Sequence, residues 1–426
     1  MKFSLPNIIQ HWQARYEHLV NIMQKFASAI LCNIMQLLLY RHDFKEFVMS
    51  FQQIARKIPR WMLLYYAALG LWLSTTAMHI PDGYLSPLTS LIMFALVLPF
   101  WAQGVKKLRE KITAKNIPVV ALFAAFSFVI MMFNVPLLGG TSGHAVGGAL
   151  AAIILGPEIA VIAISIALVI QAFFFGDGGI LAIGANCFNM AVVLPYTAYA
   201  VYQLITRGAA LNSRRRLAGA AIGGWVGLTV SAFFTAFEFG IQPLLFHTAN
   251  GTPLYAPYPL SVSIPAMVLP HMLVASLVEG LVTGLVVAYL MRANPAAFQV
   301  VNKLQAAAGT ALSGGFAKWR GAWAGLAVLV LLTPVGLLAP GTAWGEWGTE
   351  ELGKMGLAFI PQGMQRISGL WSAPMAGYAV PNMGSQSAGY ILSALTGILI
   401  VVGVAWLFSF LAANGTQNAP EATAGK

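Results

Sequence analysis

Met78 and His79 stand directly after Leu73-Ser74-Thr75-Thr76-Ala77 and before Ile80-Pro81-Asp82-Gly83. Basic Arg56, Lys57 and Arg60, an apolar run from Trp61 to Leu73, and small residues at Thr75 and Ala77 have the layout of a secretory leader cut after Ala77. Such a cut makes Met78 the first residue and His79 the second. A free amine, the His79 amide nitrogen and its ring nitrogen then close two small fused rings around one cation. His144, which ends the run Gly139-Gly140-Thr141-Ser142-Gly143-His144, supplies a fourth nitrogen. Four nitrogens in a plane suit nickel(II) or copper(II), and imidazole donors also suit cobalt. The amide and both imidazoles bind in deprotonated form, so such a site weakens as pH falls. An uncleaved first membrane helix is the competing assignment for residues 61–73, although the run is short beside the 20 or so residues of a span. The stretch before about Met49 is long for a leader and raises an upstream start codon as its origin.

A ligand set of this kind needs neighbours that fix ring orientation. Asp82, Thr141 and Ser142 lie close in sequence to the two histidines. The run Gly184-Ala185-Asn186-Cys187-Phe188-Asn189-Met190 adds the amides of Asn186 and Asn189. Hydrogen bonding between helices accounts for the two asparagines equally well. Glu238, His247, His271 and Glu279 are a further ionisable set in or beside apolar stretches, where each needs a reason to be present. His271 and Glu279 fall about two turns apart on one helix, as a relay or an ion route requires. A buried polar cluster that fixes helix packing is the preferred reading, because a proton-driven carrier would carry more carboxylates at the midplane. The two cysteines, Cys32 and Cys187, make neither a disulfide framework nor a zinc spacing.

Membrane helices must position these groups. Charged residues are 9% of the 426-residue chain and hydrophobic ones 58%, whereas a soluble chain averages about 25% charged. Apolar spans fall at about 84–105, 117–136, 143–155, 157–175, 180–203, 217–239, 262–291, 322–339 and 388–412. An all-α polytopic bundle is predicted, since a closed barrel would show short alternating strands. The net charge of +11 does not imply nucleic acid, because the basic residues collect in short loops between spans. With residue 78 outside, loops 106–116, 204–216 and 292–321 hold thirteen lysines and arginines, against Lys354 and Arg366 on the other side. That asymmetry predicts an outside N-terminus and a cytoplasmic C-terminus in the inner membrane. The span 143–155 is the weakest, being short and opening in Gly-rich sequence. Such backbone is tolerated at membrane depth only where it is packed in protein or lines a cavity, which singles out the surroundings of His144.

The predicted organisation is an N-terminal extension with its leader over 1–77, a seven-helix metal-binding core over 78–303 and a cytoplasmic linker over 304–321. A two-helix extension with an outside loop follows over 322–412, and a disordered tail over 413–426. No P-loop, His-Glu-x-x-His helix or Gly-x-Ser-x-Gly elbow occurs in the sequence, so a non-enzyme without a cofactor is expected.

Met78-His79-Ile80-Pro81-Asp82-Gly83-Tyr84-Leu85-Ser86-Pro87 resembles the start of the substrate-binding membrane subunit of cobalt/nickel energy-coupling-factor transporters, the CbiM/NikM family. The likeness runs through Pro136-Leu137-Leu138 to His144, Gly184-Ala185-Asn186 and Pro259-Leu260-Ser261, and covers roughly residues 78–300. The resemblance implies a seven-helix core and a Co2+ or Ni2+ ion held by the Met78 amine, the His79 amide and ring, and His144. It also implies a transmembrane coupling subunit and cytoplasmic ATPases as partners. Residues 320–412 are similar in layout to the small auxiliary subunit of these transporters. Their loop Gly341-Thr342-Ala343-Trp344-Gly345-Glu346-Trp347-Gly348 carries no histidine and no metal-ligand set. An ion-coupled carrier for an organic solute, and a membrane sensor or assembly protein that binds metal without moving it, are the competing functions. Mass spectrometry of the chain isolated from membranes should find Met78 as the N-terminal residue; any other start leaves the site without its amine.

Overall fold

The structure is a computed structural model that describes residues 79–112, 117–137, 142–210, 213–293, 315–338, 344–354, 357–381 and 383–414. Met78, Thr141, Cys32, the leader and most of the predicted linker and tail lie outside the described residues. Helices α1 (Pro87–Lys111) and α2 (Ile117–Met131) come first, followed by a two-stranded antiparallel pair, β1 (Val135–Pro136) and β2 (Ser142–Gly143). Next are α3 (Gly148–Leu155), α4 (Pro157–Phe175), α5 (Ile183–Thr206), α6 (Arg214–Leu245) and α7 (Leu260–Arg292). The extension contributes α8 (Gly315–Leu332), the short α9 (Thr349–Lys354) and α10 (Gln362–Ile367), and the long α11 (Gln386–Asn414). Seven helices among the described residues are long and apolar enough to cross a membrane: α1, α4, α5, α6, α7, α8 with its 3-10 continuation, and α11. The chain is an all-α polytopic membrane bundle. Leu88, Leu91, Ile92 and Leu96 stay exposed along α1, as a lipid-facing surface requires.

Two expected spans are shorter than the sequence suggested. Helix α2 has 15 residues and α3 only 8, so at 1.5 Å per residue α3 rises about 12 Å, well short of a bilayer core. Pro136 is a poor helix residue, and Val135–Pro136 pair with Ser142–Gly143 as β1 and β2 instead. Every described residue of α2 except Pro118 and Phe126 is buried, because α11, α8 and α4 surround it. Gly397 of α11 lies against the Phe128 ring, where an added Cβ would come within 2.0 Å. Tyr390 donates its hydroxyl to the Met132 carbonyl at 3.2 Å. The extension is thus packed into the same apolar core as α2 and α4.

A helix that begins inside a bundle leaves its first backbone N–H groups unsatisfied. Glu279 of α7 answers this at α3. Its carboxylate accepts from the Val146 and Gly147 amides at 2.8 and 2.9 Å and from the Ala149 amide at 3.1 Å. Negative charge is also favoured at that end of a helix. Ser127 donates to the Val146 carbonyl at 2.8 Å, so the segment carrying His144 is held from two sides. Replacing Glu279 with alanine strands three buried donors and should cost about 3 kcal/mol or more, read as a large fall in the unfolding temperature of the detergent-solubilised chain. E279Q, which keeps one acceptor oxygen, should lose less.

Candidate metal centre

His79 and Ile80 enter the bundle as irregular chain, and their backbone is bound by side chains of α5 and the loop before it. The Asn186 amide spans Ile80: its Oδ1 accepts from the Ile80 amide at 3.0 Å and its Nδ2 donates to the Ile80 carbonyl at 3.1 Å. The Gly179 amide donates to the same carbonyl at 2.9 Å. Asp82 accepts from the Ile180 and Leu181 amides at 3.0 and 2.8 Å. This lacing needs the pair Gly178-Gly179. Gly178 sits at φ +95°, and a Cβ on Gly179 would lie 2.3 Å from the Asp82 backbone. Ser86 then caps α1 by accepting from the Thr89 amide at 3.0 Å.

The His79 ring is buried. Its Nδ1 lies 3.1 Å from the Asp177 carboxylate and 3.2 Å from the Asp177 carbonyl oxygen. Both partners only accept, so Nδ1 carries a proton, while Nε2 is buried without a hydrogen-bond partner. The His144 ring meets it edge to face, centroids 5.1 Å apart and planes at 89°. His144 Nδ1 faces its neighbour's carbonyl, Ala145 O, at 3.0 Å, so Nδ1–H donates to it and Nε2 keeps its lone pair. Both rings line a cavity of about 50 Å³ together with Asn186, His271 and Glu346; a single water needs roughly 10–15 Å³ on this measure. Only Nδ1 lies near enough to the backbone to close a small ring with the amide nitrogen of the same residue. Chelation therefore requires the His79 ring to turn about its Cβ–Cγ bond, away from Asp177.

Burial alone would lower the His79 pKa, but the Asp177 charge and hydrogen bonds outweigh it and raise it. Burial likewise pushes Asp177 up, and the His79 charge with the His79 and Tyr378 hydrogen bonds brings it down to about 2. These two side chains form a buried ion pair. Tyr378, from the extension, donates to the Asp177 carboxylate at 2.6 Å and accepts from Gln171 at 2.8 Å. It is the non-glycine residue with positive φ, +59°, among the described residues, a backbone conformation costly for a bulky side chain.

The remaining predicted residues divide. Ser142 is buried in β2, one residue before Gly143. Asn189 donates to Thr235 and Glu238, each at 3.1 Å, which ties α5 to α6. His247 is exposed beyond α6, with Nδ1 3.0 Å from the Thr248 carbonyl. His271 bonds through Nδ1 to the Met267 carbonyl at 2.8 Å and lines the cavity, whereas Glu279 is committed to α3. Each of these four ionisable residues hydrogen-bonds to a different partner. Sequence reasoning passed over Asp177, Gln171, Tyr378 and Glu346. Asp177 had a usable signal, an acid set among Gly176, Gly178 and Gly179 between two spans. Gln171, Asn189 and His271 all sit on π-turns, at 171–175, 187–193 and 271–275, a local widening common at functional sites. Among the described residues no three His, Cys, Asp or Glu side chains gather as a metal-holding group.

Residues 79–297 match the family described as the cobalt uptake substrate-specific transmembrane region. The chain belongs to the CbiM/NikM family. Residues 318–414 match a second family, the PDGLE domain. The fused nickel transport protein NikMN of Rhodobacter capsulatus is 51% identical over 77% of this chain and 96% of its own length. The probable fused nickel transport protein LarMN of Lactiplantibacillus plantarum is 42% identical over 76% and 95%. A crystal structure of a truncated transition metal transporter is 51% identical over 50% of this chain and 98% of its own, with a TM-score of 0.48. Membership places the His79–His144 cavity in a multi-pass membrane protein of a metal-transport family.

The ion pair sets a stability window. His79 is raised above 6.5, so its contribution is full below that value and lost as pH rises through the folded pKa. Asp177 is lowered from 3.8, so its contribution is present above that value and lost as pH falls toward about 2. The unfolding temperature of the chain should fall as pH rises above 6.5 through the raised His79 pKa, and D177N should flatten that fall. An unchanged profile in D177N would remove the pair from the account.

Proposed function

We propose that this chain captures Ni2+ or Co2+ outside the inner membrane as the substrate-binding subunit of an ATP-driven uptake transporter. The observation that carries the reading is the burial of two imidazoles, His79 and His144, edge to face on one small cavity beside irregular N-terminal backbone. The proposed donors are the Met78 amine, the His79 amide and Nδ1, and His144 Nε2, a nitrogen set suited to either ion. The fused relatives, named for nickel, make Ni2+ the favoured cargo. Asn186 holds the Ile80 backbone, and Asp177 stores the proton on His79 that the incoming ion must displace. Capture then releases protons and weakens as pH falls.

The assignment of the site to the outer face rests on charge. Arg109, Lys111, Arg214 and Arg292 stand at helix ends, at the opposite end of the bundle from His79, and basic residues favour the cytoplasmic side. Without a nucleotide-binding motif of its own, the chain requires ATPase subunits and a transmembrane coupling subunit to move the ion. The three backbone bonds made by Glu279 occupy the group that a secondary carrier would need as a relay.

H144A removes the donor furthest in sequence from the N-terminus. Its equilibrium Ni2+ affinity should fall by more than about 100-fold, beyond the loss that follows from removing an outer partner of a ligand, with the unfolding temperature of the metal-free chain retained. Wild-type affinity would reject the ligand set. In cells, Ni2+ uptake should stop when the partner ATPase is deleted; uptake that persists there and collapses with an uncoupler would return the secondary-carrier reading.

A further inference from the structure

Glu346 belongs to the loop between α8 and α9, in a stretch with no histidine. It is 6% exposed, and its Oε2 has no hydrogen-bond partner. A buried carboxyl oxygen without a hydrogen-bond partner is costly and calls for an explanation. Its position supplies one. A second cavity, of about 180 Å³, lies above the N-terminal turn and is lined by Pro81, Asp82, Gly178, Trp347 and Trp371. Glu346 is the one residue that lines both this vestibule and the inner cavity of His79, His144 and His271.

The residues on either side of Glu346 are packed or hydrogen-bonded to the core. Gly345, at φ +81°, lies so close to Phe239 of α6 that a Cβ would come within 2.7 Å of the ring. On the other side, Tyr84 donates its hydroxyl to the Trp347 carbonyl at 2.8 Å. The loop therefore bridges the extension and the N-terminal turn with an acid at the junction of the two spaces.

We infer that Glu346 is a transient cation ligand at the doorway between the vestibule and the metal cavity. A hydrated divalent ion exchanges one water for its oxygen there, then moves on to the nitrogens of the inner site. Carboxylate oxygen is the harder and weaker donor for nickel or cobalt than imidazole or a deprotonated amide, so the ion is drawn inward and does not stay at the doorway. This rests on the metal-capture reading above. It adds a route and gives the extension a chemical part in loading.

A doorway acts equally in both directions, so it changes rates and leaves equilibrium affinity unaltered. The full chain in lipid nanodiscs, with radiolabelled Ni2+ as the only probe, gives loading and release rates by rapid filtration and affinity at equilibrium. E346Q should load and release about tenfold more slowly, the lower end of what a charged cleft contributes to association, with unchanged affinity. E346D should stay nearer to the wild type than E346Q. Wild-type rates in E346Q, or slow loading with normal release and a matching loss of affinity, would overturn the inference. If E346Q does not fold, E346D against E346N makes the same comparison. Failure of the wild-type chain to bind Ni2+ at equilibrium would instead sink the capture reading.

Discussion

Irregular backbone inside an apolar bundle must find its hydrogen bonds within the protein, because lipid offers none. That constraint organises the site end of this molecule. Three non-helical pieces meet there: the turn 79–86, the segment from β2 into α3, and the loop 176–182. Asn186 and Asp82 satisfy the first and third against each other, and Glu279 satisfies the start of α3. Buried polar residues that would be hard to justify in a helix packing against lipid each acquire a specific duty. With these backbones satisfied, two imidazoles lie edge to face on one cavity.

The extension is part of this arrangement and not an appendage. Its helices α8 and α11 enclose α2, and its loop and 3-10 turn send Glu346 and Tyr378 to the cavity and to Asp177. Tyr378 reaches Asp177 from a left-handed backbone conformation, held by Ser393, which donates to the Tyr378 carbonyl at 2.8 Å. The strained position aims a hydroxyl at the carboxylate that faces His79. The carboxylate that faces one proposed donor ring is thus itself held by a residue about 200 positions further along the chain.

The His79–Asp177 pair also sets up a competition. Under the proposed capture, the proton that stabilises the pair is the one a cation would have to displace, so pairing and coordination would favour opposite pH. The ring would then turn to bring Nδ1 toward the cavity, exchanging the ion pair for coordination. Both states are built from the same side chain, and their balance is set by how strongly Asp177 holds it.

Much of this was legible in the sequence. The scarcity of charge and the recurrence of apolar stretches determined a helical membrane bundle, because the bilayer admits little else. The basic loops pointed to an orientation, and the Met78-His79 pair with His144 pointed to the nitrogen coordination proposed above, since few residue types offer nitrogen to a cation. The lengths of α2 and α3 were misjudged because hydropathy does not register where a chain leaves the helix while remaining buried. The partnerships were decided only by the tertiary structure. Asp177 on His79, Glu279 on α3, Asn189 on Glu238 and Glu346 between two cavities all join residues far apart in sequence. Hydrogen bonding and burial depend on distance in space, and no spacing along the chain encodes which carboxylate will meet which donor once the helices pack.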